Sequence, residues 1–445
     1  MNSQKRKILF LSFFLAFLIV TPVALLYSQG YRFDWQNFEL VQTGALYFRV
    51  TPREVDILII SEKKNKIIAQ VQTSFFFGTA YIPNLLPGNY HLVVSKEGYH
   101  PWQKSLGVEE KRITEIKNIT LLPLNPNFSL IEEGVLNFFP LSGQNRVALL
   151  KEKGEEWQVL IYDQRFREPL IITEKGIAPD SSFVEILSFP NTDNIIINIE
   201  TSYLVVNPEN NAPLLTLQGV TNPVINNNTV FYKKNRDLVS FNYQTEASLT
   251  LAENVRTFAL RQDGALFWLS QAGFLFKNGQ IIQKIPFPLK EKKEYEILFP
   301  NRQAIAIREN NAFFFLEDDG FSKVFNSPHH PVTSPNLKKL VNFNEHEIRI
   351  LFLEDKDDQP RRKKGDNLFL TRFSEKIGEV HWLTSHYLIF NIGNNIKVME
   401  IDNRDNINII DLAYFENPKI YFHYPTGRLY LFSNEKFFVS EKLIP

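Results

Sequence analysis

The chain has 445 residues, 44% apolar and 22% charged, enough for a packed core and more than one ordinary domain. Lys+Arg and Asp+Glu both total 49, and the resulting zero formal charge argues against a general nucleic-acid binder, which needs a basic excess. There is no cysteine, so disulfides, thiolate metal sites and cysteine nucleophiles are excluded.

Residues 8–26 read ILFLSFFLAFLIVTPVALL without a charge. At about 1.5 Å per residue such a helix spans roughly 28 Å, the thickness of a bilayer core. Lys5, Arg6 and Lys7 precede it. The positive-inside rule therefore predicts a cytoplasmic tail (1–7), a single-pass transmembrane helix (8–26) and later domains outside the cytoplasm, at the cell membrane. A cleaved signal peptide is the competing reading; its best site, after Ser28, puts Leu26 where a small residue belongs. Residues 27–44 are expected to be a juxtamembrane linker in which Tyr27, Tyr31 and Trp35 suit the membrane–water interface.

Strand-like runs follow at 46–50, 55–60 and 67–71, then a turn at Leu86-Pro87-Gly88-Asn89 and an alternating strand at 90–94. Val108, the charged turn Glu109 to Arg112 and residues 113–122 predict a last hairpin. Gly78-Thr79, Leu86 to Tyr90 with its strand, Gly98-Tyr99 and Leu121-Leu122-Pro123 resemble the PEGA domain, a small β-sandwich of bacterial surface proteins. The resemblance covers roughly 45–124 and departs from the family at Pro52-Arg53-Glu54-Val55 and at Ala80. It implies a bacterial source, a β-sandwich and no catalytic residues.

Over 125–445 a unit of roughly 30–45 residues recurs, each copy with four short strands between polar turns. Clear copies occupy 255–285 and 380–412, and others start near Leu136, Phe183, Pro223, Tyr295, Asn336 and Pro418. The expectation is a mainly β chain ending in a seven- or eight-bladed β-propeller, similar in period to WD40 and TolB-like propellers. The last copy shows only three strands. Residues 128 to 135 (FSLIEEGV) resemble 249 to 255 (LTLAENV) at another boundary, so 128–132 are predicted to supply the missing strand and remove two unpaired sheet edges.

No P-loop, G-x-S-x-G, H-E-x-x-H or G-x-G-x-x-G occurs, and no catalytic, cofactor or metal residues are assigned. His329-His330, adjacent on a loop, point apart, and Asp402-Asn403-Arg404-Asp405 reads as a turn. The densest charge cluster, 354–358 followed by Arg361, Arg362, Lys363 and Lys364, predicts a hairpin extension inside one blade. It is either a solvated surface or a contact for an anionic envelope polymer or acidic partner. The expected function is non-catalytic recognition or scaffolding in the cell envelope, binding protein or glycan partners through propeller loops. The alternative is a propeller-type hydrolase or lyase. That would need carboxylates or histidines on several innermost strands, yet 257–260 and 381–383 read as mainly apolar.

Overall fold

A computed structural model describes residues 3–35, 38–141, 146–153, 156–163, 170–174, 184–189, 191–199, 202–208, 212–318 and 320–444. Helix α1 (Ser3–Ser28) is long and apolar enough to cross a membrane, and the rest of the chain buries none of its Leu9–Ser28 span. Lys5, Arg6 and Lys7 lie in its first turns, with Arg6 and Lys7 exposed. The expected linker is a hairpin instead, β1 (Tyr31–Asp34) with β2 (Glu39–Gln42). Arg32 secures it, with its guanidinium 3.4 Å from the Tyr27 ring centre and bonded to Tyr27 O and Asn84 Oδ1.

The next unit contains β3 (Gly44–Thr51), β4 (Asp56–Ser61), β5 (Lys66–Gln72), β6 (Thr79–Leu85), β7 (Gly88–Ser95), β8 (Trp102–Val108) and β9 (Ile113–Thr120). They form two sheets, ordered β6-β3-β9 and β5-β4-β7-β8. Period-2 alternation makes this possible: β7 turns Tyr90, Leu92 and Val94 inward, and they meet Phe48, Ile57 and Ile59 in one core. Each such side chain contributes about 1.5–3 kcal/mol by leaving water. Gly78 is required where β6 begins: its φ is +61°, and a Cβ there would lie 2.4 Å from Val50 O. The hairpin expected at 108–122 is corrected. β8 pairs with β7 while β9 runs parallel to β3, so Glu109 to Arg112 arch from one sheet to the other. The apolar faces of β8 and β9 enclose the same core from opposite layers, and adjacent pairing would forfeit that.

Among the described residues, eight four-stranded antiparallel sheets follow. We label them I (135–174), II (184–218), III (221–252), IV (255–281), V (295–326), VI (332–372), VII (377–414) and VIII (419–440). First strands of neighbouring sheets adjoin, as Ile377–Thr384 does Lys419–His423, and fourth strands such as Ala247–Ala252 are largely exposed. Apolar clusters join I to II, II to III and so on through VII to VIII. A further cluster packs Tyr430, Phe437 and Val439 of VIII against Phe138, Val147 and Leu149 of I. The arrangement is propeller-like.

Sheet VIII takes three strands from the end of the chain and its fourth from β10 (Phe128–Glu133). β10 pairs with Lys436–Ser440 in the register Phe128↔Ser440, Ser129↔Val439, Leu130↔Phe438. The likeness of 128–135 to 249–255 has a backbone counterpart. Gly134 (φ 68°) and Asn254 (φ 54°) both take left-handed conformations that turn the chain from a fourth strand into the next sheet. The unit start near Phe183 lies outside the described residues. In the copy at 255–285 the last strand is only Gln280–Ile281, because Gln283 uses its side chain to bond Gly273 O and Ile285 O.

Candidate functional site

The two β-units are docked, and the contact begins with a residue out of pattern. β8 buries Trp102, Leu106 and Val108, and in phase with them Lys104, which is 1% exposed. Its Nζ lies 2.6 Å from Glu400 Oε1 and 2.7 Å from Asp402 O, at the end of strand Asn395–Glu400 in sheet VII. Glu400 also accepts from Trp102 Nε1 (2.9 Å) and from the backbone and side-chain amides of Asn408 (3.0 and 2.7 Å). A buried ion pair needs such added hydrogen bonds to offset desolvation. Around it Ser105 N donates to Asp405 Oδ2, Arg404 Nη1 to Glu115 O, Gln359 Nε2 to Ile113 O, and Lys117 pairs with Asp358 at 2.9 Å. Asp402–Asp405 is thus a turn, as expected, but one that clamps the small unit. Burial raises the Asp402 carboxyl, and the Arg404 hydrogen bonds and Lys104 charge more than reverse this, holding it below the usual range.

The charged hairpin between Glu347–Phe352 and Asn367–Arg372 is where the sequence places it, but it is not a free, solvated extension. Asp358 and Gln359 grip β9 and its entry, and Arg362 donates to Asn403 Oδ1 at 2.5 Å. Lys363 pairs with Asp355, whose carboxylate also accepts the Lys364 backbone amide; the Lys364 side chain is exposed. Arg361 alone of the four basic residues lines a cleft of about 910 Å³ at the junction. There it faces Arg404 and the arch residues Lys111 and Arg112, with Glu109, paired to Arg112, as the acidic member of the lining. A second, smaller cavity of about 40 Å³ lies between the units and is lined in part by Trp102, Lys356, His386 and Tyr387. Burial, then the charges of Lys339 and Lys356, push the His386 imidazole down to about 3.

The innermost strands are less apolar than expected. Glu379 and His381 of VII reach the backbone of Ile420 in VIII: Glu379 Oε2 accepts Ile420 N at 2.5 Å, and His381 Nε2 lies 3.0 Å from Ile420 O. Lys419 of VIII donates to Asn137 Oδ1 of I at 2.7 Å. Burial pushes Glu379 up to about 7 and His381 down to about 4, so their uncharged forms are favoured. These groups tie adjacent sheets together. His329 stacks on Phe343, while Arg308 Nη1 lies 2.6 Å from His330 Nε2, so the pair does not converge. Among the described residues no His, Asp and Glu group could hold a metal ion.

No family model matches the chain, and no curated protein sequence does. Solved structures with similar folds include a chain of the mitotic checkpoint complex (11% identity, TM-score 0.43, covering 72% of this chain and 96% of that one). A eukaryotic initiation factor aligns at 10% identity and TM-score 0.42, over 82% of this chain and 98% of that one. The β-propeller domain of Myceliophteria thermophila Cps50 (Swd1) aligns at 6% identity and TM-score 0.40, over 69% and 99%. At such scores the superpositions are loose, and the propeller-like arrangement is read from the eight sheets and their clusters.

Proposed function

We propose that this chain is a membrane-anchored, non-catalytic scaffold of the cell envelope that recognises an acidic segment of a partner at the junction of its two β-units. The observation that carries the reading is the open cleft at the docked boundary where Arg361 and Lys111 lie beside Arg404, paired to Asp402, and Arg112, paired to Glu109. A fixed basic concavity attracts anions and gives Arg a geometry for bidentate carboxylate pairing. In this reading 8–26 is the anchor, 27–44 the juxtamembrane segment and 45–124 a PEGA-like sandwich. Residues 125–445 are an eight-bladed ring closed by β10. Lys5, Arg6 and Lys7 hold the N-terminus in the cytoplasm, and the β-rich body lies outside.

The test is cross-linking and pull-down from detergent-solubilised membranes, comparing the native chain with Arg361→Glu/Lys111→Glu. Loss of one specific partner with an unchanged unfolding midpoint supports the cleft; an identical partner set refutes it. Protease added to intact cells should remove the body. A body protected until lysis would invert the topology.

A further inference from the structure

Hairpin β1–β2 has one apolar side that the protein leaves uncovered. Its register pairs Phe33 with Leu40 across the strands and Asp34 with Glu39 in the next rung. Side chains alternate in direction, so Phe33 and Leu40 share one face while Asp34 and Glu39 take the other. Beyond that rung the Trp35 and Phe38 rings fold back on Phe33, with centroids 4.8 and 6.3 Å away. The cluster is exposed: 77% for Trp35, 76% for Phe38, 48% for Leu40 and 40% for Phe33. A lone two-stranded hairpin is marginal in water, and an aromatic face open to solvent makes it more so.

Where the hairpin is rooted identifies what covers it. Only Gln29 and Gly30 separate it from α1, and its far end returns to the same point, where the Thr43 amide and hydroxyl both donate to Gly30 O at 2.9 Å. At roughly 3.3 Å per residue, its four residues carry the end of β1 only about 13 Å from its start, within the headgroup layer if the hairpin lies flat. Trp is enriched in this layer, and Trp, Phe and Leu make up the lipid-facing side of interfacial segments.

We propose that β1–β2 lies in the membrane interface, with Phe33, Trp35, Phe38 and Leu40 facing the lipid and Asp34 and Glu39 facing water. The ligand is the phospholipid surface itself. This rests on the reading of α1 as an uncleaved anchor. With helix and hairpin both seated, the tilt of the small unit is restricted, which a single helix cannot do.

The test uses the full chain in phosphatidylcholine vesicles, with Trp35→Phe as the reference whose subtraction isolates the Trp35 emission. Lipids brominated near the headgroup end of the acyl chains should remove most of that emission, and aqueous iodide little. A Trp35→Phe/Phe38→Trp chain should behave the same way. Co-flotation with the vesicles reads the anchor separately. A chain that floats while iodide, not brominated lipid, quenches Trp35 overturns the hairpin placement and spares the anchor. A chain that does not float overturns both. Shielding from both quenchers with a cross-linkable dimer would mean that a second copy covers the face, and the proposal falls.

Discussion

The Lys104 ammonium and the Glu400 carboxylate meet at 2.6 Å across the boundary between the small β-unit and sheet VII, with side chains 0% and 5% exposed. Removing one partner of such a pair leaves a buried charge uncompensated and costs about 3–5 kcal/mol, more than the pair contributes relative to an apolar substitute. Lys104→Met is therefore expected to lower the urea midpoint sharply and to open the boundary to protease. Lys104→Met/Glu400→Leu should lose less than the sum of the single changes. Additive losses in this cycle would show that the two groups do not depend on each other.

The pairing of β10 with Lys436–Ser440 makes a second expectation. Phe128, in β10, sets its ring edge-on to Phe415, the residue after the last strand of sheet VII, at 5.0 Å and packs on the cluster joining VII to VIII. Phe128→Ala should cost about 1–3 kcal/mol, whereas Leu130→Ala, at a side chain 46% exposed, should stay within about 0.5 kcal/mol. Deleting 126–133 strips the outer edge of Lys436–Ser440. A deletion chain with the native midpoint and no tendency to aggregate would refute the seam.

Protons report on the inner strands. Glu379 titrates near 7 when folded and near its ordinary value of 4.5 when unfolded. Between those pH values the folded state binds the extra proton, so this group's contribution to stability falls as pH rises from about 4.5 to 7. His381, near 4 folded against 6.5 unfolded, acts in the opposite sense: its contribution is present above 6.5 and is lost as pH falls towards 4. Glu379→Gln keeps an acceptor for Ile420 N without the charge. Its midpoint relative to the native chain should rise at pH 8 and change little at pH 4.5. A difference independent of pH would remove Glu379 as the titrating group.

Arg361 and Arg362 are adjacent but have different tasks. Arg361→Glu alters an exposed cleft residue and should leave stability within about 0.5 kcal/mol while abolishing partner capture. Arg362→Ala removes the hydrogen bond to Asn403 that ties the sheet VI hairpin to the sheet VII loop clamping the small unit, and should loosen that loop, seen as faster proteolysis near Asn403. If the two variants exchanged these phenotypes, the division of labour would be wrong.

Much of this fold could be read in advance because local pattern and tertiary role agree in it. The alternation at 90–94, the turn at Gln262 to Gly264 and the seam strand at 128–132 each correspond to an observed element. Where local pattern is silent, reading failed. Two strands flanking a charged turn look like a hairpin whether they pair with each other, as β4 and β5 do, or arch between layers, as β8 and β9 do. The polar-aromatic stretch after α1 showed too short a period to be recognised as β1–β2. The junction was the main omission. Lys104 in phase with Trp102, Leu106 and Val108 is a visible anomaly, but its partner lies almost 300 positions away, and nothing local points to Glu400. The basic run 361–364 looked uniform because charge alone cannot tell a residue committed to Asn403 from one left facing a cleft.

The pairing of β10 with a strand made long after it also sets an order of events in time. When β10 leaves the ribosome it has no mate, and it must wait through the synthesis of sheets I to VII and two strands of sheet VIII before residues 436–440 arrive to receive it. Until then sheet VIII cannot be completed. A nascent chain that stalls before Lys436 therefore leaves β10 and Arg428–Ser433 with unpaired edges open to other chains.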